Sequence, residues 1–213
     1  MRRFISKPHI VLYLVFLLLL TTSCSPKLDE QIKEYQEAHN SGDVAKEMSF
    51  LAEDISYEVV DQWTVTGKES VQKLAETDAV IDSQLIFTDV KASKNKVTCK
   101  VEEQNKWLKL AGIETLYYEF REFTFEKGLI TSVRTKPTQE GAVALDVFRK
   151  SFGEWVAENR KEEFEQLRRA SVITKDNIGK WLVLMQAWRE EMEKEEQQKE
   201  DEKEKQQEES EKE

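Results

Sequence analysis

The chain has 213 residues, 35% of them charged, with a formal net charge of −10. That balance argues against recognition of nucleic acid or anionic lipid by bulk charge. Seven glycines and two histidines leave little material for phosphate-cradling loops, His-based metal clusters or His–Asp relays, and no cofactor motif is present.

Arg2, Arg3 and Lys7 precede an uninterrupted apolar run from Ile10 to Leu20. At about 1.5 Å per residue this run covers roughly half of a bilayer core, so it suits a signal-peptide core better than a spanning helix. Small residues follow and end in cysteine, "LTTSCS". The stretch resembles the lipobox of bacterial lipoproteins, with Thr21 where that pattern prefers Leu. The resemblance implies a signal peptide over residues 1–23 and a lipidated Cys24. It places the mature chain outside the cytoplasm on the cell envelope, at the outer membrane if there is one. An ordinary secretory signal or a short uncleaved anchor is the alternative. With Cys24 acylated, Cys99 lacks a partner, and in the alternating run "KVTCKVEE" it reads as a small buried hydrophobe.

Leu28, Ile32 and Tyr35 make a helical stripe that runs into "NSGD". Gly42 can take the left-handed conformation that ends this helix, and Asp43 can cap the next, whose stripe is Val44, Met48 and Leu51. "EDISYEVVDQW" alternates, with Ile55, Tyr57 and Val59 on one face, and a third helix follows Gly67 with Val71 and Leu74 apolar. From Leu85 onward "LIFTDVKA", "KVTCKVEEQNKWLKL", "ETLYYEFREFTFE" and "LITSVRT" read as four long strands separated by turn signals. The expected fold class is α+β: three N-terminal helices packed on a curved antiparallel sheet.

"EAHNSGDVAKEMSFLAEDISYEV", "GKESVQKLAE" and "YEFREFTFEKGLITSVR" together resemble the NTF2-like superfamily, in particular its SnoaL and ketosteroid-isomerase branch. The resemblance spans about Leu28 to Lys136 and implies an NTF2-like domain over residues 24–137, a cone enclosing a pocket. In ketosteroid isomerases a helix-one tyrosine donates to the developing oxyanion, and Tyr35 occupies that place. Their base would fall on Val59 and their second oxyanion donor on Arg121, so that chemistry lacks its parts here. Epoxide hydrolases of this fold use an Arg-x-Asp pair; this chain offers Glu119-Phe-Arg121, in reversed order. Period two puts Glu119, Arg121, Phe123 and Phe125 on one sheet face. With Asp61 near the mouth beside Trp63, Glu119 and Arg121 could form an acid–base set. The alternative is a buried Glu119–Arg121 ion pair that fixes geometry. The candidate pocket comprises Tyr35, Tyr57, Cys99, Trp107, Glu119, Arg121, Phe123 and Phe125.

Residues 138–192 read as a helical extension. Val143, Val147, Phe152 and Trp155 form one stripe, and Ile178, Trp181, Met185, Trp188 and Met192 another. They could bury against each other, against the outer sheet face or against an envelope protein. From Arg189 the chain carries 13 acidic and 6 basic residues; residues 193–213 are an acidic tail, helical or disordered. The expected function is non-catalytic: binding a small apolar ligand, or docking an envelope partner. A small-molecule hydrolase or isomerase is the alternative. The resemblance also implies pairing of two copies through the convex sheet face.

Overall fold

The computed structural model describes residues 27–169 and 173–210. The signal segment and Cys24 lie outside them. Among the described residues no helix is long and apolar enough to cross a membrane.

Helix α1 (Leu28–Asn40) buries Ile32, Tyr35 and His39, the face that its stripe defines. Gly42, at φ 68°, closes it, with Asp43 N–H donating to the Ala38 carbonyl and Gly42 N–H to that of His39. Asp43 then caps α2 (Val44–Ser49), accepting from the Lys46 amide. The chain thereby doubles back, and Glu47 of α2 faces His39 of α1. Strands β1 (Leu51–Val59) and β2 (Trp63–Thr66) follow. After them come α3 (Lys68–Val80), β3 (Gln84–Ser93) and β4 (Lys96–Gln104). A short helix α4 (Lys106–Leu110) precedes β5 (Leu116–Glu126) and β6 (Leu129–Pro137).

The six strands form one mixed, curved sheet in the order β2-β1-β6-β5-β4-β3. Two expectations are corrected here. The sheet is not wholly antiparallel, because β1 lies parallel to β6, with Tyr57 opposite Val133. "KWLKL" is helix α4 rather than strand, because Asn105 accepts from the Leu108 amide and starts a helical turn. Lys127 and Gly128, both at positive φ, join β5 to β6 in the two-residue turn that suits a twisted hairpin. Asn40 clamps α1 to β3, exchanging two 2.8 Å hydrogen bonds with the backbone of Leu85.

The main core lies between α1, α3 and the inner sheet face, around Ile32, Leu51, Ile55, Val97, Phe123 and Ile130. The outer face is polar across its middle: Glu58 pairs with Arg134, Lys96 with Glu122, and Glu119 with Lys136. The C-terminal helices are α5 (Gln139–Asn159), α6 (Lys161–Arg169) and α7 (Ile178–Ser210). Instead of covering that face they build a second core with α4 and the start of β5. Phe148 and Phe152 stack at 5.5 Å, and both meet Trp188 edge-on. The α5 stripe is therefore Phe148, Phe152, Trp155 and Val156, while Val143 and Val147 are exposed. The larger rings bury more apolar area and take the inner face. Trp188 is buried and Trp181 partly so. The acidic segment continues α7 as helix to Ser210, with Arg189–Glu193 and Lys199–Glu195 pairs at i,i+4.

Gly141 lets α5 approach β5. A Cβ there would lie 2.8 Å from Leu116 Cδ1 and 3.3 Å from the Tyr117 carbonyl oxygen. Leu116 is buried, so its side chain would have to shift within the packed core. Gly141→Val is expected to cost about 1–3 kcal/mol through overpacking. Denaturant midpoints of variant and wild type measure it; an unchanged midpoint would mean that α5 does not rest on β5.

Candidate functional site

A cavity of about 180 Å³ opens inside the cone, lined by residues from α1, α2, α3 and all six strands. Drug-sized sites occupy roughly 300–1,000 Å³, while about 150 Å³ suffices for benzene, so this one suits a small molecule. Trp63 is the strongly exposed residue of its lining and stacks on Tyr57, ring centres 5.8 Å apart.

Arg121 stands in the wall, 3% exposed. Its guanidinium lies 5.5 Å from the Tyr118 ring centre and 5.8 Å from that of Phe87. Among the described residues no carboxylate comes within ion-pair distance of it, and its Nε has no hydrogen-bond partner. Burial opposes its charge, but the Tyr57, Tyr118 and Tyr35 hydroxyls and Glu103 outweigh that and hold it protonated.

The expected partner, Glu119, points elsewhere. It is exposed and binds Lys136 at 3.3 Å on the outer face. The cause is a β-bulge. Between Tyr118 and Arg121, β5 carries one residue more than either neighbour: β4 pairs Val101 with Tyr118 and Cys99 with Arg121, and β6 pairs Pro137 with Tyr118 and Lys136 with Phe120. The extra residue inverts the parity upstream of Arg121, so Tyr118 turns inward and Glu119 outward. Neither a Glu119–Arg121 ion pair nor an acid–base set using both exists.

Tyr35 and Tyr57 line the cavity. Phe123 and Phe125 fill the core beside it, Phe123 edge-on to Tyr35 at 5.7 Å. Cys99 is buried in the same core, its thiol pushed up to about 11 by burial, which removes it as a nucleophile. Trp107 belongs to the second core, edge-on to Phe148, because α4 carries it off the sheet. Asp61 is exposed in the turn after β1 at φ 64°, outside the lining.

One imidazole and three carboxyl groups from outside the expected pocket also stand in the wall. His39 is 7% exposed; its Nδ1 lies 3.2 Å from Glu47 Oε1, and its Nε2 has no partner. Burial works against the imidazolium, but the hydrogen bond and charge of Glu47 and the charge of Asp78 raise its pKa above 6.5. Asp78 ends the Val71–Leu74–Ala75 face of α3, and burial pushes its carboxyl up to about 7. Glu103 accepts from the Tyr118 hydroxyl at 2.6 Å and from the Asn105 amide at 2.8 Å. His39 was legible as the residue after Tyr35 on the Leu28–Ile32–Tyr35 stripe. Asp78 falls seven after Val71, and Glu103 shares the parity of Val97, Cys99 and Val101. Glu47 falls three after Val44 on the Val44–Met48–Leu51 stripe and is buried beside Met48.

Both shifted groups hold protons in the folded state that the unfolded chain has released. The Asp78 contribution falls as pH rises from its unfolded value of 3.8 to about 7. That of His39 is full below 6.5 and is lost as pH rises through its raised folded value. Asp78→Asn removes the first part. Its melting temperature is expected to fall less than that of wild type between pH 5 and 8 and to exceed it at pH 8; parallel curves would contradict the assignment.

No protein-family model and no curated protein matches the chain. Solved structures similar to it include an NTF2-like protein of unknown function from Cytophaga hutchinsonii, with 15% identity over 53% of this chain and 90% of that one, TM-score 0.44. The epoxide hydrolase/cyclase-like enzyme SalBIII, from pyran ring formation in salinomycin, shares 16% identity over 53% and 92%, TM-score 0.48. An M. tuberculosis LEH-like epoxide hydrolase shares 17% over 55% and 92%, TM-score 0.43. The chain is similar in fold to NTF2-like proteins, among them epoxide hydrolase-like ones.

Proposed function

We propose that the protein is a lipid-anchored envelope protein whose cone binds a small polar molecule bearing an acceptor oxygen. One observation carries the reading: a buried guanidinium faces a cavity and has no ion-pair partner among the described residues. The surrounding phenols and Glu103 compensate this buried charge only from a distance, and an acceptor group bound directly against it supplies the missing contact. The ligand is therefore polar where the sequence suggested an apolar one, since Arg121, His39, Asp78 and Glu103 share the wall. The leader and the lipobox-like "LTTSCS" support the anchor. An envelope protein docking on the C-terminal helices would have to use the exposed Val143, Val147 and Val183, because Trp188 is in the core.

A second reading rests on Asp78. A carboxyl titrating near neutrality in the same cavity wall as a guanidinium is suited to moving a proton while the cation stabilises developing negative charge. In this hydrolase or isomerase reading Asp78 takes the place of Asp61 and Glu119.

Two measurements test the main reading. Native mass spectrometry of the detergent-extracted protein is expected to show a chain starting at acylated Cys24, with the acyl mass lost in Cys24→Ser; an unmodified chain removes the anchor. Saturation-transfer NMR with alcohols, amides and carboxylates of up to about ten heavy atoms, beside matched hydrocarbons, is expected to detect only the oxygen-bearing probes. Those signals should vanish in Arg121→Met. Binding by the hydrocarbons alone would overturn the polar site.

A further inference from the structure

We infer that the molecule held in the cone is a small monocarboxylate, one oxygen facing the Arg121 guanidinium and the other His39 Nε2. This rests on the polar-ligand reading above.

Three buried groups of the lining lack partners, Arg121 Nε on β5, His39 Nε2 on α1 and the Ser83 hydroxyl just before β3, and the first two belong to the side chains that carry positive charge. A single acceptor atom, as in an alcohol or ether, serves one of them. A carboxylate presents two oxygens and makes charge-assisted bonds to both. The carboxylates already in the wall do not fill this role. Glu47 is engaged by His39, and Glu103 by Tyr118 and Asn105. The apolar part of the ligand would lie against Val59, Val71, Leu74 and Leu85, which also line the space. That favours a short alkyl or aryl acid over acetate, by about 0.8 kcal/mol per buried methylene.

His39 makes binding depend on protons. With Nδ1 donating to Glu47, Nε2 carries a proton only in the imidazolium; in the neutral ring it is an acceptor and repels a carboxylate. The other charged groups facing the cavity are Glu47 on α2, Asp78 on α3, Glu103 on β4 and Arg121 on β5, with the phenols of Tyr35, Tyr57 and Tyr118 between them. With His39 protonated and Asp78 neutral, two cations balance two carboxylates. With His39 neutral and Asp78 ionised, one cation faces three carboxylates, and an anion is excluded. Both groups lose protons as pH rises through their raised values, so the ligand enters together with protons.

Isothermal titration calorimetry of the full chain with propionate, butyrate and benzoate at pH 6 and pH 8 tests this, with propionamide, benzamide and inorganic phosphate as controls. Butyrate or benzoate is expected to bind at pH 6 and at least tenfold more weakly at pH 8. The heat should vary with buffer ionisation enthalpy as protons are taken up. The amides and phosphate should be at least tenfold weaker than the acids. Arg121→Gln should lose at least tenfold, with near-UV circular dichroism checking its fold. Asp78→Asn should gain affinity at pH 8, and His39→Gln should flatten the pH dependence; both read the proposal even where Arg121→Gln is misfolded. Amides binding as tightly as carboxylates, or equal carboxylate affinity at both pH values, would overturn the inference and leave a polar site standing. If no probe of either kind binds, the polar-ligand reading falls with it.

Discussion

A guanidinium enclosed by a small α+β cone is the constraint around which the rest of the domain is arranged. Its desolvation must be offset locally, and a carboxylate in direct contact is the usual means. Here the compensation is diffuse. Two aromatic faces lie over the charge, three phenols surround it, and Glu103 acts from a distance through Tyr118. The bulge in β5 is part of this arrangement, since it exchanges a glutamate for a tyrosine on the inner face. A buried Glu119 in contact would have neutralised the charge and closed the site.

The turn after α1 has the second largest consequence. By reversing the chain within three residues, Ser41 to Asp43, it sets α2 against α1, so that Glu47 meets His39 inside the fold. The same short turn thus ends a helix, caps another and orients an imidazole. The charge of Asp78 on α3 acts on that imidazole across the cavity wall, and the three groups share one field, in which each proton gained or lost alters the others.

The helical extension answers a different need. Its aromatic stripes are too apolar to stay in water, and the outer sheet face, crossed by ion pairs, is too polar to receive them. They bury against one another, α4 and the first residues of β5. Beyond Met192 α7 leaves that core and runs on as a charged helix, supported by i,i+4 pairs worth about 0.2–0.5 kcal/mol each.

Local sequence determined the element order apart from β2 and α4, the turn at Gly42, the inward face of β1, the stripe of α7 and the burial of Cys99, because each follows from a period or a single backbone requirement. It also held the clue to His39, Asp78 and Glu103, each continuing an apolar stripe with an ionisable residue. Tertiary structure alone decided the rest. One inserted residue in β5 reversed the faces of Glu119 and Tyr118, since strand parity survives only in unbroken register. Competition between rings and valines chose the inner face of α5. The cavity chemistry belongs to that second group: its charges lie far apart in sequence, and only packing sets how much each one costs.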